Sequence, residues 1–271
     1  MTRSTPRLAR RSVLALPALL PLFSIVRPAR AATSIRLGTM SGESEDVFRA
    51  AAEEAKARGL DVKIIGFNDY VVPNAALEHG DIDANAFQHG PYLEDQVKSR
   101  GYHLVAVGFT YIAPIGVYSR KLHAVSEIGR GARVGVPNDP TNGGRGLLLL
   151  QTLGLIKLRA GAGLTATARD IAENPKGLKI VELDAGILGR SLSDLDVAVV
   201  NTNWAVTAGL DIAHERIAVE PTENNPYRNI VAVKQGRENE PWVKTLVESI
   251  HTDRFRDALK ATWKGYVVPA F

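Results

Sequence analysis

The sequence predicts an α/β protein of two lobes with a ligand cleft between them. Three observations carry that reading. Short apolar runs alternate with amphipathic helical patterns from Ser34 onward, as expected of a mainly parallel sheet covered by helices on both faces. The alternation restarts at Arg133, so the chain divides into two α/β stretches. Setting aside 31 leader residues from 271 leaves 240, enough for one large or two modest domains at 45% apolar content.

The elements follow in order. "SIRLGTM" reads as a strand, and "EDVFRAAAEEAKARG" as a helix with Val47, Phe48, Ala51, Ala52 and Ala55 on one face and Gly59 as its stop. "LDVKIIGF" is the second strand; "NDYVVPNAALEHG" turns into a short helix, and "DANAF" is a brief strand. "PYLEDQVKSRG" is a helix with Pro91 in its first turn, where a missing N–H costs nothing, and "YHLVAVGF" is a strand. After the restart come the strand "RVGVPN", a turn and helix over "DPTNGGRGLLLLQTLG", the strands "GLKIVEL" and "DVAVV", and the helix "TNWAVTAGL". A strand near "PYRNIVAVK" and two helices between Glu240 and Thr262 close the chain and are expected to pack on the first lobe. The chain should cross between lobes near residues 111–118 and return near 227–233. This predicts lobe 1 as 32–114 plus 230–271 and lobe 2 as 115–229. A cleft between two such crossings is a preferred ligand site.

The first 31 residues read as a secretory signal peptide. Arg3, Arg7, Arg10 and Arg11 precede an apolar run from Val13 to Val26 that contains Pro17 and Pro21, and Ala29-Arg30-Ala31 ends it. A bilayer span needs about 20 apolar residues, so a retained anchor is the poorer reading. Arg10-Arg11-Ser12 hints at twin-arginine export. The expected location is therefore the periplasm.

The leader also holds the basic charge. The chain is +4 overall, but the first 31 residues carry six Arg and no acid, so the remainder is about −2. A basic pI that belongs to the leader is no case for nucleic-acid binding. The chain has no cysteine, which excludes disulfides, thiolate catalysis, Cys-based metal sites and a lipid on an N-terminal cysteine.

Enzyme and metal signatures are missing. "HGDIDANAFQH" opens like a calcium loop at Asp81, Asp83 and Asn85, but the Gly position holds Ala86 and the twelfth position Tyr92 instead of Glu. No G-x-S-x-G elbow, H-E-x-x-H, Walker A or G-x-G-x-x-G stretch occurs. No cofactor is expected.

Three stretches remain. Aromatic residues are 6% of the chain, yet Phe87, His89 and Tyr92 fall within six positions. They could be core packing, a metal site, a catalytic histidine or a pocket wall. "PNDPTNGGRGLLLL" reads as strand, turn and helix, with Asn142 as N-cap and Arg145 in the first turn. A cation is disfavoured there by the helix dipole, so Arg145 either meets an anionic ligand, such as a bidentate carboxylate, or pairs with a neighbouring acid. Asn201 ends "DVAVV" and Asn229 begins "NIVAV", positions that suit either turn residues or groups that hold an amino acid's polar ends.

Together "FNDYVVPNAAL", "GDIDANAFQHGPYL", "VPNDPTNGGRGLLLLQTLGLIKL", "ENPKGLKIVEL" and "NTNWA" resemble, in order and spacing, the NlpA-type methionine-binding lipoproteins, the substrate-binding components of methionine ABC importers. The resemblance runs from about Ile35 to Phe271. It implies a two-lobe periplasmic-binding-protein fold that closes on an amino acid. It also implies Tyr70, Phe87, His89 and Tyr92 as the slot for a thioether side chain, Arg145 at the carboxylate, and Asn201 and Asn229 at the amino and carboxylate ends. Two features depart from the family: the lipobox cysteine is absent, and Trp204 stands where members often have Tyr. The expected function is a monomeric receptor that captures L-methionine and delivers it to an inner-membrane ABC permease. The alternatives are the same device tuned to D-methionine, a methionine derivative or a methionyl peptide, and an enzyme using His89 as a base.

Overall fold

The computed structural model describes residues 1–2 and 33–271. The expected signal peptide, apart from its first two residues, lies outside the described residues. In chain order the first part runs β1 (Thr33–Met40), α1 (Glu43–Ala57), β2 (Leu60–Phe67), α2 (Val72–His79), β3 (Ala84–Asn85), α3 (Gly90–Arg100), β4 (Leu104–Phe109) and β5 (Tyr111–Ile112). The second part runs β6 (Gly116–Tyr118), β7 (Arg133–Pro137), α4 (Pro140–Thr152), β8 (Lys157–Leu158), β9 (Ile171–Glu173), β10 (Lys179–Leu183), α5 (Ala185–Leu188), β11 (Val197–Val200), α6 (Thr202–Thr207) and β12 (Arg216–Val219). The chain closes with β13 (Ile230–Lys234), α7 (Pro241–Ile250), α8 (Asp253–Trp263) and β14 (Val268–Pro269).

Two five-stranded sheets organise these elements into two lobes, with orders β2-β1-β3-β13-β4 and β10-β7-β11-β6-β12. Each has a parallel βαβ part: β1 runs parallel to β2 and β3, and β7 to β10 and β11. The sheets are nevertheless mixed, which corrects the expectation of mainly parallel pairing. Strand β13 is antiparallel to both β3 and β4, and β6 is antiparallel to both β11 and β12. The reason is topological. Both strands enter their sheet directly from the other lobe, without the helical crossover that forces parallel pairing.

Local chemistry explains the helices that carry the cores. Val47, Phe48, Ala51 and Ala55 form the buried stripe of α1, and the chain leaves that helix through Gly59 at φ 84°, a left-handed position that glycine takes without strain. Helices α7 and α8 pack on α1 through Leu246, Ile250, Phe255 and Leu259, so the closing helices belong to the first lobe's core. Phe48 and Phe255 meet at 5.5 Å between ring centroids. Each fully buried Phe is worth about 1.5–3 kcal/mol relative to exposure. In the second lobe, Leu147, Leu149 and Leu150 of α4 cover Val134, Val136, Val197 and Val199 of the sheet.

The two crossings run side by side. Thr110 N donates to Asn229 O and Asn229 N to Tyr111 O, both at 2.8 Å. Glu220 N donates to Ile115 O at 3.1 Å, and β14 pairs with β5 across the same region. Paired strands of this kind can twist together without breaking either lobe. Among the described residues, no helix is long and apolar enough to cross a membrane.

Candidate functional site

The first lobe's wall is built around residues 84–92. Ala86 N donates to Gly38 O at 2.8 Å, which extends β3 alongside β1 and brings Phe87 to the sheet's edge. Beneath it lies a buried amide cluster. Asn74 Nδ2 donates to Gln88 Oε1 at 2.7 Å and Gln88 Nε2 to Asn74 Oδ1 at 2.6 Å; Asn85 Nδ2 also donates to Asn74 Oδ1, at 2.9 Å. Every member has a partner, so the cluster fixes the loop instead of straining it.

His89 is the N-cap of α3. Its Nδ1 accepts from Tyr92 N at 3.1 Å, which assigns the ring proton to Nε2, and Nε2 lies 3.3 Å from Asn142 Oδ1 on the second lobe. Burial, aided by the positive charge of Arg145, lowers its pKa to about 3, so the ring is neutral at ordinary pH. Both ring nitrogens are engaged, and neither offers a lone pair to a substrate proton.

The aromatic side chains converge. Tyr70 lies 6.1 Å from Phe87, 6.2 Å from Tyr92 and 5.5 Å from Trp204 between ring centroids, and Phe87 meets Tyr92 edge-on at 6.1 Å. Tyr92 OH donates to Tyr70 O at 2.9 Å, and Tyr70 OH donates to Asn203 Oδ1 at 2.6 Å across the cleft. Burial raises the pKa of both phenols, so these hydroxyls remain donors. Trp204 sits behind Tyr70, against its ring.

The second lobe contributes two helix N-termini. Helix α4 starts at Pro140, earlier than the sequence suggests, and its N-cap is Asp139, whose carboxylate accepts from Asn142 N at 2.9 Å. Asn142 is therefore not the cap. Its Oδ1 accepts from His89 and, at 2.8 Å, from Asn201 Nδ2, while its Nδ2 donates to Asp139. Arg145 consequently lies in the second turn of α4, not the first. The Asp-Pro pair is an N-cap followed by proline at the first helical position, a signal present in the sequence that moves the boundary back. Asn201 precedes α6, and its Oδ1 is buried with no hydrogen-bond partner.

Arg145 is 3% exposed and Glu220 is 8% exposed. Arg145 Nε lies 3.0–3.1 Å from the two Glu220 oxygens, and Nη2 donates to Glu220 Oε1 and, at 3.0 Å, to Ala113 O. Of the two partners the sequence allows Arg145, an anionic ligand or an acid of the protein, the Nε/Nη2 edge has the acid, Glu220. Nη1 makes no hydrogen bond among the described residues. The Tyr227 ring covers the guanidinium at 4.4 Å and meets His89 edge-on at 5.1 Å.

Between the lobes these groups line a cavity. All seven residues predicted from the sequence meet there: Tyr70, Phe87, His89, Tyr92, Arg145, Asn201 and Asn229. Gln88, Ala113, Asn142, Thr202 and Asn203 complete the lining. One end is aromatic and the other polar, a division suited to an amphipathic small molecule. Among the described residues, no group of three or more His, Cys, Asp or Glu could hold a metal. Asp83 instead pairs with Arg36 and Arg237, at 3.0 and 3.3 Å.

The chain is similar to known proteins. Residues 35–271 match the model of the NlpA lipoprotein family. The D-methionine-binding lipoprotein MetQ of Escherichia coli K12 is 48% identical over 237 residues, covering 86% of this chain and 87% of the relative. A nutrient binding protein from Burkholderia cenocepacia, solved bound to methionine, superposes with a TM-score of 0.84 at 51% identity, covering 88% of this chain and all of that one. The solved methionine binding protein MetQ gives a TM-score of 0.84 at 47% identity, covering 88% and 98%. Sharing their two-lobe fold and nearly half of their residues over its described length, the chain belongs to the NlpA lipoprotein family.

Proposed function

We propose that this protein captures methionine in the cleft between its lobes and delivers it to an ABC importer. The observation that carries the reading is the cavity's division into an aromatic end and a polar end, lined by residues of both lobes. The relatives' names point the same way. Tyr70, Phe87 and Tyr92 would surround the thioether, whose polarizable sulfur gains about 0.3–1.5 kcal/mol per ring contact. His89, neutral and fully engaged, closes the slot as a wall. Arg145 Nη1 would bind the carboxylate, the unpartnered Asn201 Oδ1 would accept from the ammonium, and Asn229 would complete the polar end.

The lobes are assigned as 32–114 plus 230–271 and 115–229, closing about the paired crossings. The protein acts as a monomer, exported by its leader and released into the periplasm, with an inner-membrane permease as partner. We read it as a receptor, as its relatives are named; both ring nitrogens of His89 are engaged, which argues against His89 as a base. A second reading, D-methionine as ligand, is favoured by the relatives named for it.

The test is chiral mass spectrometry of the ligand released when the purified protein is gently denatured. Recovery of L-methionine supports the main reading and D-methionine the second. A different amino acid, or turnover of methionine, would remove both.

A further inference from the structure

Glu220 lies in the return crossing, and nothing in the periodicity of the sequence marks it. Its carboxylate is buried, and the residue makes three kinds of contact. It takes the Nε/Nη2 edge of Arg145, it accepts from Ile115 N at 3.1 Å, and its own N–H donates to Ile115 O. The guanidinium is thereby neutralised within the protein before any ligand arrives. His89 adds no charge, being neutral. The nearby Asp139 caps the positive end of α4 and is held by Asn142 and Thr141. The polar end of the cavity therefore carries no surplus positive charge.

Resting on the methionine reading, we propose that Glu220 is a specificity-determining residue: it neutralises Arg145 so that the cleft accepts a zwitterion and rejects a plain carboxylate anion. The argument is electrostatic. To a zwitterion, whose charges sum to zero, the Glu220 charge presents little net force. To an anion seated on Nη1, the same charge is repulsive across a few ångströms of poorly screened protein. A unit charge at that range changes affinity roughly tenfold or more.

The experiment is calorimetry with two ligands on three proteins. The ligands are methionine and its hydroxy analogue, in which an α-hydroxyl replaces the ammonium, so that one donor is kept and the positive charge is lost. In the wild type the analogue should bind at least tenfold more weakly than methionine. In Glu220→Gln that ratio should fall by roughly tenfold, and in Glu220→Asp, which keeps the charge, it should stay within about threefold of the wild type. A merely structural role would weaken both ligands alike and leave the ratio unmoved in Glu220→Gln, which would overturn the proposal. Should Glu220→Gln fail to fold, Asn201→Ala decides: an analogue still bound at least tenfold more weakly than methionine there supports the proposal, and a ratio below tenfold, which puts the discrimination in the ammonium–Asn201 contact, overturns it. A wild type that binds neither ligand would overturn the methionine reading itself, and the proposal with it.

Discussion

Two side chains show most clearly how residue chemistry sets this site. Arg145→Ala should weaken methionine binding tenfold or more, since hydrogen bonds to charged groups are worth about 1.5–3 kcal/mol. The loss should exceed that of Asn201→Ala or Asn229→Ala, and titration calorimetry would measure it. The same change leaves Glu220 buried and unpaired, so unfolding should also become easier, by about 3–5 kcal/mol. His89 gives a prediction about pH. It stays neutral in the folded protein down to about 3, whereas in the unfolded chain it takes a proton near 6.5. Between those values the unfolded state binds the extra proton, so stability is complete above 6.5 and falls as the pH drops below it. From pH 7 to 5 the wild type should lose about 2 kcal/mol more than His89→Asn in denaturant unfolding. Methionine affinity should be flat between about pH 7 and 8, where no proton moves on the ring. The aromatic cluster was legible because ring side chains are rare in this chain and three fall together. Glu220 was not, because it sits in an irregular loop and meets Arg145 from 75 residues away.

Elements decide where those side chains point. The difference between Asn142 as a cap and Asn142 as a cavity residue is a shift of three positions in the start of α4. Asp139-Pro140 signals that shift, but the glycines at 143 and 144 make the same stretch read as a turn. Glycine is tolerated there because neighbours crowd in: a Cβ on Gly144 would come within 2.2 Å of Leu164 O, and one on Gly143 within 2.7 Å of Pro137 O. The buried amide cluster under the 86–89 loop was also beyond sequence reasoning, since Asn74, Asn85 and Gln88 show no pattern of their own. Asn74→Ala would strand the side-chain carbonyl of Gln88 and leave the amides of Gln88 and Asn85 with one partner each, Asn85 Oδ1 and Pro73 O. It should destabilise the protein by about 1–3 kcal/mol in thermal or denaturant unfolding, while changing methionine affinity less than Phe87→Ala does.

At the scale of the whole molecule, the two-lobe plan was readable from the restart of the strand–helix alternation. The strand directions were not, because β6 and β13 enter their sheets from the crossings, and periodicity carries no information on direction. The closed cleft is spanned by the Tyr70–Asn203 and His89–Asn142 contacts. Tyr70→Phe keeps the ring and removes the donor, so it should cost methionine affinity only modestly, by about 0.5–1.5 kcal/mol, measured by calorimetry.

The central claim is that this cavity is an apolar slot joined to a polar end that fits one amino acid. Calorimetry across an amino-acid panel tests it most directly. Methionine should bind best. Norleucine should follow at a cost of about 1 kcal/mol, since exchanging sulfur for methylene keeps the buried volume and loses only the sulfur–ring contacts. Glutamate and lysine should bind very poorly, because a charge placed among Tyr70, Phe87 and Tyr92 meets no opposite partner. Glutamate bound as tightly as methionine would contradict the account.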